Sequence, residues 1–237
     1  MEGSALCFNS ILLSNWIRFG ILTLPLSSLL TLVGLIGRYD IPNPHDDPKA
    51  AVQAAGSTAY FVSQLAGNVL GLTLLIFGVM ALTAYLANTR VRGLALGAMI
   101  LSIAGIAVTL SGLDVTTYAL PEISRAYLSG QQEVLVIVTA IYQGLVRELF
   151  GPVFLLYSAG FILFGVAIWR SGVLPRPAAI SLGLHAPLVA GFFRTQLNWV
   201  SVVGALLFIL GGGLIAFSVF RRPSAGEAEA EAELPTR

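Results

Sequence analysis

Residues 59–87 read AYFVSQLAGNVLGLTLLIFGVMALTAYLA, 29 positions without one Asp, Glu, Lys or Arg. A run like this has no polar face to turn toward water. In a bilayer, about twenty apolar residues at 1.5 Å per residue cross a hydrocarbon core of about 30 Å. Backbone groups in lipid must bond within their own segment, so the run is expected to be a transmembrane helix.

Working outward, five further runs qualify as spans: near 17–37, 93–118, 149–169, 177–193 and 197–220. The chain is therefore expected to be an all-α polytopic transmembrane bundle of six spans, a single domain over 1–222. Residues 223–237 (PSAGEAEAEAELPTR) form an acidic tail that lacks apolar residues to pack and is expected to be disordered. Composition agrees. Of 237 residues 56% are hydrophobic and only 11% charged, against about 25% charged in a soluble domain. A surface so poor in charge belongs against lipid. With one cysteine, Cys7, an intrachain disulfide is impossible. Leu6 stands where a lipobox needs a small residue, so Cys7 reads as a plain thiol and the first run as a retained anchor.

The fourth apolar run, 134–169, is too long for one upright span, at about 54 Å as a helix. Arg147, Glu148 and the Gly151–Pro152 step interrupt it. The crossing is expected at 149–169, with 134–148 an extension or surface-lying segment. Between the first two spans, residues 38–57 carry Asn-Pro and Asp-Pro steps, which favour turns, with a helical start expected at Pro48.

Lys and Arg in short loops favour the cytoplasm. One side of the six-span arrangement holds Arg18, Arg90, Arg92, Arg170, Arg176, Arg221 and Arg222; the other holds Arg38, Lys49, Arg125 and Arg194, diluted by acids. Seven against four puts both termini inside a plasma (bacterial inner) membrane. Small residues recur at helix-contact spacing, among them Gly67, Gly71 and Gly78, then Gly93 and Gly97, and Gly204 and Gly211. They are expected where helices approach closely. Ala140, Gly144 and Gly151 extend the pattern into the fourth run. The triplet Phe77–Gly78–Val79 recurs as Phe164–Gly165–Val166, a hint of duplication.

Ionisable groups inside a membrane are costly and therefore candidates for function. Counting from the basic ends, Asp114 and Glu148 lie about 31 and 33 Å along their helices, at the outer edge of the hydrocarbon. Asn68 and Arg147 fall at a similar level. Together they suggest an outward-facing polar pocket, with Asp114 paired to Arg147. The alternative is that they are hydrated at the interface and merely end the spans. His185 lies about 14 Å past Arg176, near mid-bilayer and two residues before Pro187. It is either a neutral ring bonding a backbone carbonyl that the proline frees, or a ligand or proton-relay group. His45 reads as a solvated loop residue.

Two histidines and one cysteine leave no set of ligands for a metal built on nitrogen and sulfur. No cofactor motif, phosphate loop or nucleophile elbow appears, and no basic cluster suggests nucleic acid. The expected partner is the lipid bilayer, alongside a homo-oligomeric or membrane-protein contact.

The segment 164–191, FGVAIWRSGVLPRPAAISLGLHAPLVAG, resembles uncharacterised bacterial six-helix membrane proteins that form a domain-of-unknown-function family. The resemblance rests on Trp169, Arg170, Ser171, Gly172, Leu174, Pro175 and Arg176 and covers one hairpin. It implies six helices in a bacterial inner membrane and no stated activity. The turn has a structural reading as well: Gly172 ends a helix, Pro175 stops its continuation, and the arginines anchor the cytoplasmic side.

Three readings of function follow. A non-catalytic structural or accessory membrane component ranks first. A carrier or receptor for a small or lipid-like ligand, held by Asp114, Arg147, Glu148, Asn68 and His185, ranks second. An intramembrane enzyme with Asp114 or Glu148 as acid or base ranks last.

Overall fold

A computed structural model describes residues 2–39, 41–42, 44, 46–195 and 198–221, with side chains described from Asn15 onward except at 145–151 and 190–198. The side chains of Cys7, Arg147, Glu148 and Asn198, His45, and the tail from 222 onward lie outside the described residues. The chain forms an all-α bundle. In order come α1 (Glu2–Gly37), α2 (Pro48–Ala55), α3 (Thr58–Leu86), α4 (Arg92–Leu128), α5 (Val134–Gln143), α6 (Leu145–Ser171), α7 (Arg176–Thr195) and α8 (Asn198–Phe220). Among the described residues five segments are long and apolar enough to cross a membrane: Asn15–Gly37, Thr58–Leu86, Arg92–Leu128, Pro152–Ser171 and Trp199–Phe220.

Six of the helices close into a ring in chain order. Helix α1 packs on α3, α3 on α4, α4 on α6, α6 on α7, α7 on α8, and α8 returns to α1. Neighbours run antiparallel: Gly34 meets Gly67 while Gly20 meets Ala81, and Ser28 meets Ala205 while Leu24 meets Gly212. Lipid supplies no hydrophobic drive for helices to associate, so close backbone approach and interhelical hydrogen bonds must hold the ring. Glycines mark these seams. A Cβ on Gly67 would stand 2.6 Å from Gly34 Cα, one on Gly105 2.6 Å from the Tyr157 backbone, and one on Gly165 2.8 Å from the Ala179 carbonyl. Gly204 and Gly211 serve the α7–α8 seam in the same way. Gly93 and Gly97 do not: nothing lies within 4 Å of a Cβ built on either. They lie off the packed face of α4, which at this level buries Ala95 and Ala98 in the core.

One half of the ring is filled by a continuous apolar core, with Leu24, Leu82, Phe164, Ile168 and Ile215 all fully buried. Short turns lie at this end. Helix α6 stops at Gly172, in the left-handed region at φ 69°, as a C-terminal glycine can without strain. Arg90, in the α3–α4 turn, donates through Nε (3.1 Å) and Nη2 (2.8 Å) to the carbonyl of Arg170, and Arg176 lies over the Trp169 ring at 5.2 Å. The aromatic-basic turn at 169–176 thus ties two hairpins together.

The opposite end carries a cap. Helix α4 continues well past residue 118, to Leu128, and its last two turns pack with α2 and α5. Val52, Ala55, Tyr60, Leu120 and Val138 form a second core there. Pro48 opens α2, with Asp47 capping Ala50 N–H at 2.9 Å. The long apolar run breaks at Gly144, where the backbone is extended, so α6 already includes 145–148 and α5 is a separate cap helix. The expected narrow strip of Ala140, Gly144 and Gly151 is therefore not one helix face: Gly144 ends α5.

Candidate functional site

Two π-helical turns face each other where the ring meets the cap. Leu65–Gly71 widens α3 and Val115–Ala119 widens α4. Such turns are rare, and they re-aim side chains. Here they bring polar groups together inside the ring. Asn68 Nδ2 donates to Gln64 Oε1 (3.1 Å) and to Thr117 Oγ1 (3.0 Å), and Gln64 Nε2 donates to the Gly34 carbonyl (3.0 Å). Gln64 and Thr117 are fully buried. One turn outward, the Tyr60 hydroxyl donates to the Thr116 carbonyl at 3.2 Å, and Phe61 meets Tyr118 edge-on at 6.3 Å.

Inside the ring, below these turns, is a narrow cleft with a cavity volume of ≈ 80 Å³, open at one mouth. Every helix of the ring lines it. Helix α1 gives Ser28, Thr31 and Leu35, and Arg38 follows its last turn; α3 gives Asn68, Leu72 and Leu75; α4 gives Thr109 and Leu113. From α6 come Phe154 and Tyr157, from α7 His185 and Val189, and from α8 Ser201, Ala205 and Phe208. The wall is apolar with a few polar groups spaced along it, the usual make-up of a small-molecule site.

His185 closes the inner end of the cleft. Its Nδ1 lies 2.6 Å from the Leu182 carbonyl and its Nε2 3.2 Å from the Tyr157 hydroxyl. A carbonyl only accepts, so Nδ1 carries the proton, and Tyr157 donates to Nε2 of a neutral ring. Phe208 stacks on that ring at 4.3 Å, and Phe161 meets it edge-on at 4.5 Å. The accepting carbonyl is that of Leu182, on the turn before; Pro187 removes the N–H that would have reached Gly183. Both ring nitrogens are therefore used within the protein.

Ser201 differs from its neighbours. It is 1% exposed, it lines the cleft, and its hydroxyl has no hydrogen-bond partner among the described residues. A buried hydroxyl left unpaired costs about 1–3 kcal/mol, so the group is suited to a guest.

Of the residues singled out from sequence, Asn68 and His185 share this cleft. Asp114 does not line it: it is exposed at the end of the first part of α4, one residue past cleft-lining Leu113. Arg147 and Glu148 fall in the first turn of α6, and their side chains lie outside the described residues. Sequence reasoning missed Ser28, Thr31, Thr109, Tyr157 and Ser201. Three of these hydroxyls bond to helix carbonyls, which makes them inconspicuous in an apolar span. Near the mouth, burial pushes the Tyr142 phenol well above its ordinary range; Tyr60 adds to this and Arg38 opposes it. No group of three or more His, Cys, Asp or Glu side chains comes together among the described residues. The chain matches no protein-family model, no curated protein and no solved structure.

Proposed function

We propose that the chain is a six-span membrane protein that holds an amphipathic small molecule in the cleft inside its ring, as a carrier or receptor and not as an enzyme. The observation that carries this reading is Ser201: a buried hydroxyl with no partner among the described residues, on the wall of a cleft to which all six ring helices contribute. Helix α7 is the sixth span. Its 20 residues reach about 30 Å, and it packs between α6 and α8. The arginine-rich turn end faces the cytoplasm with both termini, and the cap and cleft mouth face outward across a plasma membrane.

Native mass spectrometry of the gently solubilised protein tests the reading. A non-covalent adduct of defined mass is expected to accompany the wild-type chain and to be lost from Ala205→Phe, which fills the cleft from α8. It should persist in Leu206→Phe on the exposed face of the same helix. An adduct retained equally in both variants would place the ligand elsewhere and defeat the reading.

A further inference from the structure

Resting on that reading, we infer that the ligand is an uncharged amphipathic molecule whose head group donates a hydrogen bond, an alcohol or phenol, and not a carboxylate or phosphate lipid. The inference follows from which protons of the cleft are already committed. Ser28 Oγ donates to the Ala205 carbonyl at 2.9 Å, Thr31 Oγ1 to the Ser27 carbonyl at 2.9 Å, and Thr109 Oγ1 to the Gly105 carbonyl at 2.7 Å. The Tyr157 hydroxyl donates to His185, and both amide protons of Asn68 go to Gln64 and Thr117.

A hydroxyl that has given its proton keeps lone pairs, and an amide whose N–H groups are used keeps its carbonyl oxygen. The described wall therefore offers a guest oxygen acceptors at Ser28, Thr31, Thr109, Tyr157 and Asn68. Ser201 alone among these hydroxyls has no acceptor for its proton among the described residues, and its oxygen accepts as well. Arg38, the one cation on the described wall, stands past the outer end of α1; deeper in the ring an anionic head would face acceptor oxygens in a medium of low dielectric, where repulsion is strong. A donor head finds partners at every level. The apolar remainder of the guest lies against Leu72, Leu75 and Phe208.

The test uses the full chain in phosphatidylcholine liposomes with three sixteen-carbon probes that carry the same mid-chain diazirine. One ends in an alcohol, one in its methyl ether and one in a carboxylate. Labelling is read by intact mass and mapped to peptides of α1 and α8. The alcohol is expected to label about threefold to tenfold more than the ether, the worth of one hydrogen bond, and more than the carboxylate. Ala205→Phe is expected to abolish that difference; Val189→Phe, which fills the cleft from α7, serves if the first variant does not fold.

Equal labelling by all three probes, abolished by the filling variant, would leave the cleft as a binding site but overturn the donor-head inference. Preferential labelling by the carboxylate would overturn it too, in favour of an anion held near Arg38. Labelling that no filling variant reduces would overturn the cleft reading and this inference together.

Discussion

Asn68 donates to Thr117 Oγ1 at 3.0 Å, and each of the two residues sits in a π-helical turn of a different helix. The bond joins α3 to α4 at the one seam of the ring where no glycine gives close approach. It is therefore expected to carry measurable coupling. A double-mutant cycle of Asn68→Ala and Thr117→Val, followed by denaturant unfolding in detergent, should return about 0.6 kcal/mol and no more than about 1.7 kcal/mol, the span known for interhelical hydrogen bonds in membranes. Strict additivity would show that the π turns are held by something else.

Tyr157 and His185 allow a graded comparison. Tyr157→Phe removes the only donor to Nε2 among the described residues and leaves the ring in place against Phe208. The loss expected is about 1–3 kcal/mol, the cost of a buried polar atom without its partner. His185→Ala also removes a ring packed between Phe161 and Phe208 and opens a void, for which about 2–5 kcal/mol is usual. Thermal unfolding should rank wild type above Tyr157→Phe and that variant above His185→Ala. A Tyr157→Phe protein as stable as wild type would mean that the phenol does not serve the histidine.

Much of the fold could be read from charge and length alone. The 59–87 run, the Gly172 stop and the Pro48 start each depend on residues within a few positions, so the sequence carries them locally. The broken run at 134–169 was visible as excess length, but its break point was not. Arg147 and Glu148 drew attention as charges, whereas the chain turns at Gly144, one of many glycines. The cleft was hidden for a related reason. Its polar wall is made of hydroxyls on α1, α4, α6 and α8, with Asn68 on α3 and His185 on α7, and only ring closure between α8 and α1 puts Ser201 and Ser28 on one wall. Asp114, prominent in an apolar sequence, turns out on the exposed side of α4. Charge marks where a helix meets water more readily than where it meets a ligand.

Glycine positions that look alike in sequence should respond in opposite directions. Gly97→Ala places its Cβ in open space and gains helix propensity, so stability should stay level or rise by up to about 1 kcal/mol. Gly67→Ala drives a Cβ to 2.6 Å from Gly34 Cα, and α1 and α3 must part. A fall in unfolding temperature is expected there, with further loss in Gly67→Val. If both alanine variants moved together, close approach of α1 and α3 would not be what fixes the seam.

Orientation can be decided by thiol accessibility, because the two ends of the ring differ in charge and each offers an exposed turn residue. Asn88 stands in the turn beside Arg90 and Arg92, and Ser129 closes the last turn of α4 in the cap. In a Cys7→Ser background, a membrane-impermeant maleimide applied to intact cells should label Ser129→Cys and spare Asn88→Cys. Permeabilisation should make Asn88→Cys reactive. The arginines are the physical cause: moving Arg90, Arg92, Arg170 and Arg176 across the membrane is opposed by its potential, at about 2.3 kcal/mol per charge per 100 mV. Arg90 is further held by its two bonds to the Arg170 carbonyl. Labelling of Asn88→Cys in intact cells, with Ser129→Cys protected, would invert the topology and turn the cleft mouth toward the cytoplasm.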